Sequence, residues 1–106
     1  MTRFEVEFSP KAHPSLGEIA RYIAQYAGAG RASDWLGKIQ KSTVTLETHP
    51  QAFPRVGLHE GEDIHARFIL RHVLYYFVDE DAHVVTIIDV VHTARESERQ
   101  GYEDEP

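Results

Sequence analysis

Charged and apolar side chains alternate strictly over residues 3–8, near the start of the chain. A period of two is the pattern of a strand that has one buried face and one solvated face. The first element is therefore predicted to be a β-strand over about residues 3–8.

A helix is predicted next, because apolar residues recur three or four positions apart over residues 16–27. The preceding Ser9-Pro10 pair suits a helix N-terminus. Pro14 would remove a hydrogen bond from the interior of a helix, so the regular helix is expected to begin near Pro14.

A second helix is predicted over residues 32–46, where helical spacing of apolar residues returns. Gly28 and Gly30 are expected to end the first helix, and His49-Pro50 follows the end of the second. Two helices with a short glycine connection form an αα-hairpin.

The second half of the chain predicts strands. Residues 50–63 contain two prolines and two glycines without a period, and we expect a long surface loop there. Residues 64–78 are β-forming and unbroken, so they form either one bent strand or two strands joined near Leu70-Arg71. Residues 84–91 are apolar on both faces, which indicates a central strand. The acidic residues 79–81 between them read as a solvated turn.

Two rows of side chains face opposite ways on the first of these segments. One row is apolar: Ile64, Ala66, Phe68 and Leu70. The other carries the cationic side chains His65, Arg67 and Arg71. We expect the cationic row to lie on the wet face, where arginine can bind carboxylates in bidentate geometry.

The element order is strand, helix, helix and then strands, which predicts a single α+β domain over residues 1–100. An acidic tail, residues 101–106, is expected to be solvated. The absence of a long apolar run and of an apolar leader predicts a cytoplasmic protein. The chain has no cysteine, which excludes disulfides and thiolate chemistry.

The net charge of −6 is distributed unevenly along the 106 residues. Residues 1–59 carry 7 Lys/Arg and 5 Asp/Glu, which gives +2, whereas residues 60–106 carry 4 and 12, which gives −8. A chain this acidic lacks the general attraction to phosphate that nucleic-acid binders have, so direct nucleic-acid binding is not expected.

Three short motifs in this order resemble the RelE/ParE toxin superfamily. They are Tyr22-Ile23-Ala24 in the first helix, the pattern L-x3-P-x3-P-x-x-G from Leu46 to Gly57, and the ending HVLYYFVD with IIDVVHTAR. Arg67, followed by the strand from Val73 to Tyr76, and the closing His92-Thr93-Ala94-Arg95-Glu96 match the family's usual signals. The resemblance covers Phe8 to Arg95 and is closest to the ParE branch.

This resemblance implies a β-α-α-β-β-β fold, with the αα-hairpin packed on a small, mainly antiparallel sheet. It also implies a toxin of a type II toxin–antitoxin (plasmid stabilisation) module, which is neutralised by a cognate antitoxin. ParE-like members inhibit DNA gyrase and replication, whereas RelE-like members cut messenger RNA on the ribosome. A family member that binds antitoxin but is not toxic is a third alternative, and the shared fold does not choose among them.

The residues themselves argue against RNA cleavage. Breaking a phosphodiester requires several cations around a general base. No lysine follows Lys41, and Val73 stands directly after His72, where an RNA-cutting relative is expected to carry arginine. The chain is therefore predicted to be a binding protein, with endoribonuclease activity as the alternative.

The candidate site residues are cationic or aromatic side chains near the strands. The candidates for catalysis, if the chain is a ribonuclease, are Arg67, His92 and Arg95. The candidates for partner binding are His65, Arg67, Arg71, His92, Arg95 and Trp35. Trp35 is also a natural core residue, and core packing is the preferred interpretation for it.

No cofactor and no metal site are predicted. The seven histidines show neither H-x-H nor H-x3-H spacing, so a metal site would depend on convergence in space. Because the chain is acidic, its antitoxin segment is expected to be mainly apolar with Lys or Arg, unless it docks on the Arg67/Arg71 face.

Overall fold

The computed structural model describes residues 3–93 and contains two helices and five strands in that range. In chain order the elements are β1 (Glu5–Phe8), α1 (Ala12–Ala27), α2 (Ala29–Thr48), β2 (Arg55–His59), β3 (Glu62–Ile69), β4 (His72–Asp79) and β5 (Val84–His92). The sequence prediction of an α+β fold with an αα-hairpin is confirmed. The sheet has one strand more than predicted, namely β2.

The five strands form one sheet in the order β1-β5-β4-β3-β2. β1 pairs with β5 in parallel, and every other neighbouring pair is antiparallel. β5 is therefore an interior strand, as its two apolar faces predicted. It places the first strand of the chain beside the last.

The helical hairpin packs on one face of the sheet and encloses the main core. The buried residues of this core are Ala12, Trp35, Ile39, Leu46, Leu74, Tyr76, Val85, Ile87 and Val90. A smaller cluster is formed by Ile64, Ala66, Val73 and Tyr75. Tyr75 and Tyr76 thus point to opposite faces, and both are fully buried.

The αα-hairpin starts earlier and turns more tightly than the sequence suggested. The Ser9 hydroxyl accepts a hydrogen bond from the Ala12 amide at 3.1 Å, and α1 begins there. Pro14 is the third residue of α1, where a backbone N–H has no helical partner anyway, so it does not delay the helix. Gly28, with φ of 97°, is the entire connection, and Gly30 lies inside α2.

The prediction of a long loop over residues 50–63 was wrong. β2 and the first residues of β3 lie in this range. A β-bulge between Arg55 and Gly57 interrupts the alternation of β2, which explains why no period was visible in the sequence. Gly57 and Gly61 were read as loop residues, although Gly61 serves a two-residue hairpin turn between β2 and β3.

The apolar segment 64–78 consists of two strands joined at Leu70-Arg71, which resolves the alternative left open by the sequence. Ile69 pairs directly with His72, so the turn has two residues. Both have positive φ, 49° for Leu70 and 66° for Arg71, as in a type I′ turn. No described helix is long and apolar enough to cross a membrane.

Candidate functional site

Most of the candidate residues that the structure describes lie toward one end of the sheet. Here the β3–β4 turn, the last residues of β5 and Trp35 of α2 meet, and we call this region the hairpin end. His72 pairs with His92 across β4 and β5, and the Thr93 amide donates to the Arg71 carbonyl at 2.8 Å. The two strands therefore continue their pairing up to the turn.

His72 is the most enclosed polar side chain of the hairpin end, with 7% of its surface exposed. Its ring centroid lies 5.1 Å from that of Trp35 and 5.0 Å from that of His92. Its Nδ1 lies 2.9 Å from the Leu70 carbonyl, which can only accept, so Nδ1 carries the proton. His72 thus connects the core to the turn.

The electrostatic environment keeps the His72 ring neutral. Burial lowers the pKa of His72 below its ordinary value of 6.5, the hydrogen bond to Leu70 partly opposes this, and the nearby His92 lowers it further. A neutral imidazole with its Nδ1 engaged holds the turn in place and carries no positive charge. Among residues 3–93, the permanent positive charge of the hairpin end is therefore carried by Arg71, which is exposed.

Two large apolar side chains project from the same turn into solvent. Phe68 is 54% exposed and Leu70 is 45% exposed. In the sequence both belong to the apolar row of the strand, and neither was among the candidate site residues. The signal that was available is the position of Leu70 and Arg71 in a hairpin turn that lacks Gly, Asn and Asp.

Arg67 was expected on the wet face, and that expectation was wrong. Its guanidinium lies 4.5 Å from the centroid of the Phe53 ring, and its Nη1 donates to the Ser42 carbonyl of α2 at 3.2 Å. Burial lowers the pKa of Arg67 from its ordinary value of 12.5, with Tyr76 opposing the shift. Arg67 therefore joins β3 to α2 and to the segment after α2.

His65 lies on this same covered face. Its Nδ1 is 2.8 Å from the Phe53 carbonyl, and its ring stacks on Tyr76 with centroids 5.3 Å apart. The Tyr76 hydroxyl donates to the Pro50 carbonyl at 2.7 Å. The wet-face prediction failed because the segment between α2 and β2 crosses over this row of side chains.

The remaining candidate site residues differ in their exposure to solvent. Trp35 is 5% exposed and belongs to the core, the interpretation preferred from the sequence. His92 is exposed at the end of β5. Arg95 and the acidic tail, residues 101–106, lie outside the described residues. Among residues 3–93 there is no group of three or more His, Asp or Glu side chains arranged to hold a metal ion.

The opposite end of the sheet is acidic. Its two turns carry six carboxylates: Glu60, Glu62, Asp63, Asp79, Glu80 and Asp81. Arg55 pairs with Asp63 at 2.7 Å, and the Gln51 amide donates to Glu80 at 2.7 Å. We call this region the acidic end, and it confirms the solvated turn predicted over residues 79–81. Carboxylates are thus concentrated at the acidic end, and Arg55 pairs with one of them there.

In comparisons with known proteins, a family model identifies the family and two solved structures share the fold. A family model described as the ParE toxin of type II toxin–antitoxin system, parDE, matches residues 6–97. Among solved structures, the chromosomal ParDE system from P. aeruginosa superposes with a TM-score of 0.67 at 14% identity, covering 84% of this chain and 95% of that chain. The toxin–antitoxin complex RelBE2 from Mycobacterium tuberculosis gives 0.62 at 16% identity, covering 86% and 99%. A search of curated proteins gave no match.

Proposed function

The chain belongs to the ParE toxin family of type II toxin–antitoxin systems, and on that premise we propose that it stops growth by contacting DNA gyrase and is neutralised by a cognate antitoxin. In this proposal the chain is a binding protein that catalyses no reaction. The contact with gyrase is made by protein surface, and the chain itself does not bind nucleic acid.

The observation that carries the proposal is that Arg67, the arginine among the described candidates for RNA cleavage, is covered by other segments. Arg67 is held between the Phe53 ring and the Ser42 carbonyl. His72 is buried with Nδ1 engaged, and Val73 beside it is fully buried. Cleavage of a phosphodiester requires cations and a base that can reach the scissile bond.

Two described candidates remain exposed, Arg71 and His92. One permanent cation beside one imidazole is a sparse set for stabilising a pentavalent phosphate, but it suits recognition of a carboxylate on a protein. The structural likeness to RelBE2 concerns the fold, which toxins of different activity share. Protein recognition is therefore the function that the arrangement supports best.

Induced expression in growing bacteria tests the proposal. We expect DNA synthesis, followed by incorporation of labelled thymidine, to stop while pre-existing messenger RNAs stay intact on northern blots. Cleavage of messenger RNA within codons would establish the ribonuclease alternative. Normal growth with full-length protein present would identify a member that is not toxic.

An assay with purified gyrase and the purified chain tests the proposed inhibition directly. Supercoiling of relaxed plasmid by gyrase is measured while the purified chain is titrated, and inhibition is expected. The product of the neighbouring gene, co-expressed as the candidate antitoxin, should copurify with the chain and restore both supercoiling and growth. Full gyrase activity at a large excess of the chain would remove gyrase from the proposal.

A further inference from the structure

We propose that Phe68, Leu70 and Arg71, which we call the hairpin tip, form the anchor that inserts into the target protein, and that the antitoxin binds elsewhere. The occupant is a cleft on the target with an apolar floor and an acidic rim. This inference rests on the proposed function, because it assigns a surface to the contact that stops growth.

The first argument is the exposure of apolar surface where a hairpin ordinarily has none. Ile64 and Ala66, earlier on the same face of β3, are 0% and 1% exposed. Phe68 and Leu70 are about half exposed at the end of the same strand. Large apolar side chains grouped at a protruding turn mark contact sites rather than ordinary surface.

The second argument is the strained backbone of the tip. Leu70 and Arg71 both have positive φ, which costs a residue with a side chain on the order of 1 kcal/mol. Strain of this kind persists where the surrounding structure imposes it, and it concentrates at functional sites. In the β2–β3 turn one of the two positive-φ positions is a glycine, Gly61, beside Glu60, whereas the β3–β4 turn has no glycine at either position.

The backbone of the hairpin tip is also held firmly in place. The tip is held by pairing of Ile69 with His72, by the hydrogen bond between His72 and the Leu70 carbonyl, and by that from the Thr93 amide to the Arg71 carbonyl. Trp35 packs behind His72. A turn whose backbone is already held in place loses little backbone entropy on binding, which favours its use as an anchor.

The uneven distribution of charge on the chain favours partners of opposite charge at the hairpin tip and elsewhere. No acidic residue occurs from Ile64 to Val78, whereas six carboxylates lie on the acidic end. An acidic rim on the partner is therefore attracted to the hairpin tip and repelled by the acidic end. The antitoxin is expected to be apolar and basic, because residues 60–106 carry a net charge of −8. Two partners of opposite charge require two surfaces.

The hairpin tip is too small to form an interface alone. Three side chains cannot bury the roughly 800 Å² per partner that a stable interface needs. A few well-placed residues nevertheless carry most of the affinity in a larger contact, and arginine beside large apolar groups is typical of them. The tip is an anchor within a wider contact between the toxin and its target.

A variant that improves the turn while removing the anchor tests the inference without risk to the fold. Leu70→Asn combined with Arg71→Gly installs residues that favour positive φ in a type I′ turn. We expect the melting temperature to stay equal or rise. The concentration needed to inhibit gyrase should rise at least about tenfold, as loss of a binding hot spot predicts. Binding of the neighbouring gene's product should remain within about twofold of wild type, because antitoxin contacts lie elsewhere.

Single changes and a matched control refine the test. Arg71→Glu should weaken gyrase inhibition more than Arg71→Gln, because it adds repulsion from the acidic rim. Val44→Gln removes an apolar side chain of α2 that is 52% exposed, and gyrase inhibition should be unchanged. Arrest of growth in cells, scored for the same variants, gives a readout that does not depend on the identity of the target.

The outcomes separate the inference from the function on which it rests. A wild-type chain that arrests no growth removes the proposed function and the inference with it. A wild-type chain that arrests growth, beside a double variant that arrests it equally well, overturns the inference alone. A double variant that loses binding to the candidate antitoxin shows that the tip serves the antitoxin, which also overturns it.

Discussion

The two hairpin turns that flank β3 have the same backbone form but opposite residue types. In the β2–β3 turn the central residues are Glu60, with φ of 52°, and Gly61, with φ of 82°. In the β3–β4 turn they are Leu70 and Arg71. Glycine reaches positive φ without steric cost, whereas leucine and arginine do not. The first turn is specified by its own residues, and the second is imposed by its neighbours.

The two turns also differ in the contacts that surround them. At the acidic end the ion pair between Arg55 and Asp63 lies between exposed side chains, and such pairs contribute little stability. At the hairpin end His72 is buried against Trp35 and bonded to the turn. The comparison teaches that the acidic end depends on local turn chemistry, while the hairpin end depends on tertiary packing.

The largest expected effect comes from removing the packing behind the hairpin end. Trp35→Ala should lower the free energy of unfolding by about 3–5 kcal/mol, the usual cost of truncating a buried aromatic residue. Urea denaturation followed by circular dichroism measures it. Trp35→Phe is the control, since the indole nitrogen has no hydrogen-bond partner within residues 3–93, and its loss should cost much less. Equal losses for both variants would contradict the packing argument.

A smaller effect is expected midway between the two ends, at Tyr76. Tyr76→Phe leaves the Pro50 carbonyl without its donor and should cost about 1–2 kcal/mol. Burial raises the pKa of Tyr76 from 10.0 to about 12. The wild type should therefore lose stability as the pH rises from 10 towards 12, because the unfolded chain releases this proton first. The Phe variant should show a shallower loss in the same window, measured by urea denaturation at each pH.

A pH dependence of the opposite sign is expected at the hairpin end. The folded chain lowers the pKa of His72 below 6.5, so the unfolded chain binds this proton more readily. The contribution of neutral His72 to stability is complete above pH 6.5 and is lost as the pH falls through the folded pKa. His72→Gln, whose amide can still donate to Leu70, should reduce the loss between pH 6.5 and pH 5. An unchanged slope would show that His72 does not control the acid response.

The smallest effects compare the two turns directly. Gly61→Ala should destabilise the chain by about 1 kcal/mol, because alanine is strained at positive φ. No heavy atom lies within 4 Å of the added Cβ, so backbone strain is the whole cost. Arg71→Gly should stabilise the chain by a similar amount, since it relieves strain of the same kind. Matched thermal melts of the two variants test whether the signs are opposite.

The local patterns of the sequence predicted much of the fold. Alternation identified β1, helical spacing identified the αα-hairpin, and the two apolar faces of residues 84–91 identified an interior strand. β2 was missed because its bulge interrupts the alternation and because Gly57 also fits a loop. The motifs and their order also placed the chain in its family, which the family model confirms.

The candidate site could be predicted only in part, because burial there is decided by segments distant in sequence. Arg67 and Arg71 belong to the same cationic row of the sequence, yet α2 and Phe53 cover one and leave the other exposed. Leu70 and Phe68 continue an apolar row whose earlier members are buried, yet they project beyond it. Alternation along a strand gives the face on which a side chain lies, and it does not give what covers that face.

What the sequence by itself determined is therefore β1, the αα-hairpin, the strand-forming segments of residues 64–91 and their order, since these follow from short-range sterics and periodicity. The tertiary structure decided that the β3–β4 turn forms at Leu70-Arg71, residues that disfavour it locally. Pairing of β4 with β3 and β5, together with Trp35 behind His72, stabilises that turn by more than its backbone strain costs. The hairpin tip is exposed and rigid for the same reason.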